Sequence, residues 1–314
     1  MNAIEAEHIQ KVYIGAGKEP VRAADGISFA VPRGKIYGLL GPNGAGKSTM
    51  VKILTTITQP SSGRALVHGF DVARQPLDVR RHIAVVLQQT AVDGMLTVED
   101  NLKTYAYLHG LPKQEAGKRI AAILEEFELG YKTREMAQDL SQGTKRRLQV
   151  AKIFLTDAPV VFLDECTTGM DPFMRRRVLE RVRREAKNGK TVLLTTQVLS
   201  EAEELCDHIM IIHQGKTLAS GNLRELRRLS KQTFRVRITF AQADGNLNGL
   251  LQNLKPAELN IEGENADLLF KGEEETSLLD HLAAVSRKAP IKNFEVRGAS
   301  LEDIFVDLVG EQKS

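Results

Sequence analysis

The sequence predicts an α/β domain built on a largely parallel sheet, followed by a small α+β domain. Three observations carry that expectation. Short apolar runs alternate with amphipathic stretches over residues 1–229, the pattern of strands buried under helices. A glycine-rich loop ending Gly46, Lys47, Ser48 joins one of those runs to a helix. After Leu229 a basic stretch (Arg224, Arg227, Arg228, Lys231) leads into an alternating strand pattern over Thr233–Phe240. A chain of 314 residues exceeds one ordinary domain of about 100 to 200 residues, so the boundary is placed there, giving domains 1–229 and 230–314.

In chain order, strands are predicted at Ile36–Leu40 and at 82–87, 160–163, 191–195 and 208–212. The helix after the glycine-rich loop carries Met50, Ile53, Leu54 and Ile57 on one side. Thr97 and Asp100 form a capping box, and Ile120, Ile123, Leu124 and Phe127 share a face before Gly130. Asp171 followed by Pro172 reads as an N-cap with proline at the first helical position. Val178, Leu179, Val182 and Ala186 then form the buried stripe, and Arg175, Arg176 and Arg177 a solvated face. The tail reads as strand, helix over 247–254, strands near Leu259 and Leu268, helix over 277–287 and strand over 291–296.

Composition narrows the function classes. Hydrophobic residues at 42% and charged residues at 26% exclude a largely disordered or collagen-like chain. No apolar run approaches the roughly 18 residues needed to cross a bilayer, and residues 1–10 lack the pattern of a secretory signal; the expected location is cytosolic. Cys166 and Cys206 are too few for a disulfide framework and are read as reduced thiols. The seven histidines show no metal-ligand spacing. A net charge of +3 gives no basis for nucleic acid as a partner.

Chemistry concentrates in two segments. Residues 41–49 read Gly41, Pro42, Asn43, Gly44, Ala45, Gly46, Lys47, Ser48, Thr49, a complete phosphate-binding loop between a strand and a helix. Its glycines let backbone N–H groups approach phosphate oxygens, and the helix start adds a favourable dipole. Lys47 is placed to neutralise the β- and γ-phosphates of a nucleotide, and the Ser48 hydroxyl to ligate Mg²⁺. An apolar strand ending in Asp164 and Glu165 sets two carboxylates at the nucleotide-binding edge of the sheet. Asp164 suits Mg²⁺ through water, and Glu165 suits orienting and deprotonating the attacking water.

Upstream of that strand, Leu140, Ser141, Gln142, Gly143, Thr144 is similar to the LSGGQ signature of ABC transporter ATPases, departing from it at Gln142 and Thr144. The resemblance extends over residues 3–229 and implies an ABC-type P-loop ATPase domain with a helical subdomain. It further implies that Ser141 and Gly143 contact the γ-phosphate held by a second copy of the chain, making a homodimer. Tyr13 matches the aromatic that stacks on adenine. Gln88, with Gln89 as its rival, matches the glutamine that touches Mg²⁺ and the lytic water. Asp171 matches the loop that meets the opposite phosphate loop, with Met170 where leucine is usual. Gln197 stands where the family has its switch histidine; glutamine donates a hydrogen bond but carries no positive charge, so slower hydrolysis with dimerisation retained is expected.

Cys166 follows Glu165 where the family has proline or alanine and is read as a small inert filler. Residues 299–305 (Ala299, Ser300, Leu301, Glu302, Asp303, Ile304, Phe305) resemble the accessory domain of the drug-resistance, daunorubicin-type, and lipid-export branch. Ser300 and Asp303 form a capping box there. The resemblance implies a subunit at the cytoplasmic face of the membrane, peripheral, coupling ATP hydrolysis to a transmembrane permease that exports an amphiphilic substrate.

Overall fold

The computed structural model describes residues 1–14, 19–89, 91–229, 233–241, 247–271 and 282–311. The chain divides into two units, Met1–Ser220 and Gly221–Ser314.

In the first unit β1 (Asn2–Tyr13) and β2 (Val21–Pro32) pair antiparallel, and β4 (Ser62–Val67) and β5 (Phe70–Asp71) complete a four-stranded sheet in the order β2-β1-β4-β5. Between them run β3 (Ile36–Leu40) and α1 (Lys47–Leu54), and beyond them α2 (Pro76–Arg81) and β6 (Ile83–Val86). Helices α3 (Val98–Leu108), α4 (Lys113–Glu126) and α5 (Gln142–Ile153) follow before β7 (Val160–Asp164). The unit ends with α6 (Pro172–Lys187), β8 (Thr191–Thr196), α7 (Leu199–Leu205), β9 (His208–His213) and β10 (Lys216–Gly221). The second sheet has the order β10-β9-β3-β8-β7-β6, and β9, β3, β8, β7 and β6 pair in parallel.

Both faces of this parallel sheet are covered, which explains why its strands read as continuous apolar runs rather than alternating ones. Ile36, Val161, Leu163, Val192 and Leu194 join the core shared with α3 to α6. Tyr37, Leu39, Val160, Phe162 and Leu193 face the other way, into the core with α1 and the antiparallel sheet. Burying both faces holds the strand ends in fixed register, and those ends carry the site.

Several local expectations are refined. The α1 stripe includes Met50, Ile53 and Leu54 but not Ile57, which is 55% exposed because the helix stops at Leu54 and Thr56 turns left-handed at φ 63. The arginines of α6 are not a uniformly solvated face. Arg176 is exposed, but Arg175 reaches Glu201 at 2.6 Å and Arg177 donates to Glu126 O at 2.9 Å. Thr97 does cap α3, accepting from Asp100 N at 3.1 Å.

The contacts divide the chain after Ser220 rather than after residue 229. Helix α8 (Leu223–Leu229) belongs to the second unit because Leu226 is fully buried and Arg227 Nε donates to Ala299 O at 3.0 Å. There β11 (Thr233–Phe240), α9 (Leu247–Gln252), β12 (Glu258–Glu262), β13 (Asn265–Lys271) and β14 (Ile291–Gly298) form an antiparallel sheet in the order β12-β13-β11-β14. That is the order of a split βαβ, ferredoxin-like unit. The helix expected over 277–287 lies partly outside the described residues; 282–286 are helical.

The final helix, Leu301–Glu311, starts at the expected box: Asp303 N donates to Ser300 Oγ at 3.2 Å and Ser300 N to Asp303 Oδ2 at 3.0 Å. Burial pushes the Asp303 carboxyl up, but the bonds from Ser300 and Arg235 outweigh it and hold the group below its ordinary value. Its contribution is therefore present at neutral pH and is lost as pH falls below about 4. Ser300→Ala should cost about 1 kcal/mol at this cap, seen as roughly fivefold faster amide exchange across the helix at pH 7. Unchanged protection would contradict the capping assignment.

Candidate active site

The carboxyl ends of β3, β8 and β7 lie side by side and deliver the phosphate-binding loop, Gln197 and the Asp164–Glu165 pair to one edge. The loop wraps closely because its glycines permit it. Gly46 has φ 109, and a Cβ there would sit 2.2 Å from Ala23 O; at Gly41 it would meet Ile212 O at 2.2 Å. No side chain caps the N terminus of α1 and its first turn holds no acidic residue, so its N–H groups and positive dipole end suit an anion. Lys47 is 4% exposed, and its Nζ donates to Gly41 O at 2.7 Å and Pro42 O at 3.1 Å. Burial lowers its pKa, while Glu165 and Asp164 push it back up. Resting on loop carbonyls with the Glu165 carboxylate 3.8 Å away, this buried ammonium is placed to neutralise a phosphate-bearing ligand.

The acidic pair is anchored on three sides. Asp164 Oδ1 accepts from Ser48 Oγ at 3.2 Å and from Thr195 Oγ1 at 2.5 Å. Glu165 Oε1 lies 3.8 Å from Lys47 Nζ, and Glu165 Oε2 accepts from Gln88 Nε2 at 3.1 Å. The side chain reaching Glu165 is thus that of Gln88, while Gln89 contributes its carbonyl to Gln149. Glu165 has φ 49, a left-handed conformation that is costly for a residue with a Cβ. Its N–H is held by Thr195 O at 3.0 Å.

Ser141 caps α5, accepting from Thr144 N at 3.2 Å. Gly143 lies where a Cβ would be 3.0 Å from Gly169 O, so the start of α5 is set against the 169–171 loop. Asp171 caps α6 through Met174 N at 2.9 Å and meets Arg147 at 3.3 Å. Tyr13 is 41% exposed and pairs with Val21 of β2, the strand whose Ala23 O abuts Gly46. Gln197 is exposed at the end of β8. Cys166 is fully buried, and desolvation pushes its thiol up to about 12, leaving it inert.

Two residues escaped the sequence reading. Glu201, 1% exposed, accepts from Thr167 Oγ1 at 2.8 Å and Thr196 Oγ1 at 3.0 Å and pairs with Arg175. It ties the loop before α6 to the turn bearing Gln197. Arg146, 5% exposed, spreads its guanidinium over backbone carbonyls beside Gln88 and Glu165. Glu201 lies in an acidic run on an exposed-looking helix and Arg146 in a basic one. Neither context distinguishes a buried charge from a solvated one.

A family model described as "ABC transporter" matches residues 24–168, and one described as "ATP-binding protein DrrA1-3-like, C-terminal domain" matches 221–309. The daunorubicin/doxorubicin resistance ATP-binding protein DrrA of Streptomyces peucetius is 36% identical over 310 residues, covering 98% of this chain and 92% of that one. The chain belongs to the ATP-binding subunits of ABC transporters. The Nod factor export ATP-binding protein I of Ralstonia nicotianae is 34% identical, with 98% of this chain and 94% of that protein covered. A solved ATP-binding subunit of an ABC transporter superposes with a TM-score of 0.67 at 30% identity, covering 72% of this chain and 92% of the other.

As an ABC ATP-binding subunit, the chain binds and hydrolyses ATP. Among the described residues no helix is long and apolar enough to cross a membrane. Gly46→Ala should weaken ATP binding at least about tenfold by calorimetry, since the added methyl must displace backbone at a strained φ. Gly69→Ala, with φ +89 but nothing within 4 Å of a Cβ, should leave affinity unchanged. Equal affinities for both variants would contradict the close-wrapped loop.

Proposed function

We propose that two copies of the chain close on two ATP molecules and drive a separate transmembrane permease that exports an amphiphilic substrate, with the chain peripheral at the cytoplasmic face of the membrane. The observation carrying this reading is the convergence, at one sheet edge, of Lys47 and Ser48 with Asp164, Glu165 and Gln88. Relatives named for daunorubicin/doxorubicin resistance and for Nod factor export support the export direction.

The roles follow from the chemistry of each group. The backbone of Gly41, Pro42, Asn43, Gly44, Ala45, Gly46 and Thr49 cradles the phosphates, and Lys47 neutralises their β- and γ-oxygens. Ser48, Asp164 and Gln88 are the groups that would hold Mg²⁺, which supplies further neutralisation of developing charge when bound. Glu165 orients the attacking water and takes its proton, with Gln88 holding the carboxylate in place. Tyr13 stacks on the adenine ring. Ser141 and Gly143, at the α5 N terminus, donate to the γ-phosphate held by the second copy. Asp171 meets the second copy's phosphate loop. Gln197 donates to the γ-phosphate without the charge of an imidazolium.

A regulator that binds ATP and seldom turns over is the second reading, favoured by Gln197. Single-turnover hydrolysis by the purified chain separates the two, and Gln197→His tests the glutamine itself: with the permease present, steady-state turnover should rise about tenfold, equivalent to about 1.4 kcal/mol of barrier. Unchanged or lower turnover would remove the claim that Gln197 slows hydrolysis. Purification of the Glu165→Gln chain from native membranes in mild detergent tests the partner. A polytopic membrane protein at near-equal stoichiometry is expected; recovery of soluble partners alone would overturn the proposed permease partnership in favour of the regulator.

A further inference from the structure

We infer that Arg146 is the positioning residue that makes hydrolysis in one subunit answer to closure of the dimer. It stands on the second turn of α5, the helix whose start carries Ser141 and Gly143. Its donors run to two separate segments. Nη1 reaches Leu87 O at 2.6 Å and Gln88 O at 3.2 Å; Nη2 reaches Asp164 O at 2.9 Å and Glu165 O at 2.7 Å; Nε reaches Cys166 O at 3.2 Å. Gln149, one acceptor for Nη1 at 2.7 Å, adds its own bonds to Leu87 O and Gln89 O.

These carbonyls belong to the main chain from which Gln88 and Glu165 extend toward each other. Glu165 holds a left-handed backbone at φ 49, and such a conformation persists only where its surroundings over-determine it. Thr195 fixes the Glu165 N–H and Arg146 fixes its carbonyl. The planar fork of a guanidinium can span both segments at once, whereas the single nitrogen of lysine cannot. A shift of α5 is therefore passed through Arg146 to the carbonyl of Glu165 and to the Gln88 segment. Resting on the two-copy reading above, engagement of the second copy's nucleotide by the start of α5 would set the geometry of Glu165 in the first copy's own site.

The test uses the full chain with Mg·ATP. Arg146→Lys and Arg146→Gln are compared with wild type in single-turnover hydrolysis, and each is placed in the Glu165→Gln background to measure ATP-driven dimerisation by light scattering. Hydrolysis per dimer should fall by at least about tenfold in both variants, while the midpoint of dimerisation moves by less than about threefold. Gln149→Leu, which leaves the arginine in place, should show a smaller loss of the same kind and decides the question if the Arg146 variants do not fold. Unchanged hydrolysis, or hydrolysis and dimerisation lost in step with thermal stability, would overturn the inference. Failure of Glu165→Gln alone to dimerise would instead remove the two-copy reading, and the coupling role with it.

Discussion

The site depends on one shared acceptor: Asp164 Oδ1 takes hydrogen bonds from Ser48 of the phosphate loop and from Thr195 of the neighbouring strand. Three chain segments distant in sequence meet at that oxygen because β3, β8 and β7 are adjacent and parallel. Their apolar side chains are buried on both faces, which leaves no freedom for one strand to slide against another. The phosphate loop, the acidic pair and the Gln197 turn are then placed together by the sheet, and their small separations follow from strand spacing.

Around that point the fold tolerates costs that an ordinary core would avoid. Lys47, Arg146 and Glu201 are buried charges, and Glu165 occupies an unfavourable backbone region. Each charge is offset by several groups rather than by a single partner: Lys47 by loop carbonyls and Glu165, Arg146 by five carbonyls and an amide, Glu201 by two hydroxyls and Arg175. Removing one member of such a set leaves the others desolvated and unpaired. Stability and the placing of reactive groups are consequently bound together here, as expected where strain serves function.

Much of this was legible in the sequence, for physical reasons. Continuous apolar runs marked the parallel strands because both their faces are covered. The phosphate loop was legible because close backbone wrapping demands glycine at fixed spacings. Capping boxes at Thr97 and Ser300 were legible because the required side chains are local. The antiparallel sheet was not. β1 and β2 pair with repeated register shifts, and His8 turns left-handed at φ 47, so the period-2 pattern breaks within each strand. Arg175, Arg146 and Glu201 were unreadable for a different reason: a charged residue on a helix is buried or solvated according to what packs across from it, and that is set by residues far away in sequence. The domain boundary moved for the same cause, since α8 is claimed by its contact with Ala299.

In the proposed mechanism the edge carboxylate Glu165, held by Gln88 and a strained backbone, activates the water that attacks ATP. Single-turnover hydrolysis of Mg·ATP by excess full-length chain, comparing wild type with Glu165→Gln, tests it most directly. A loss of about a hundredfold or more, at unchanged ATP affinity, is the expected result. Equal rates for the two proteins would contradict it.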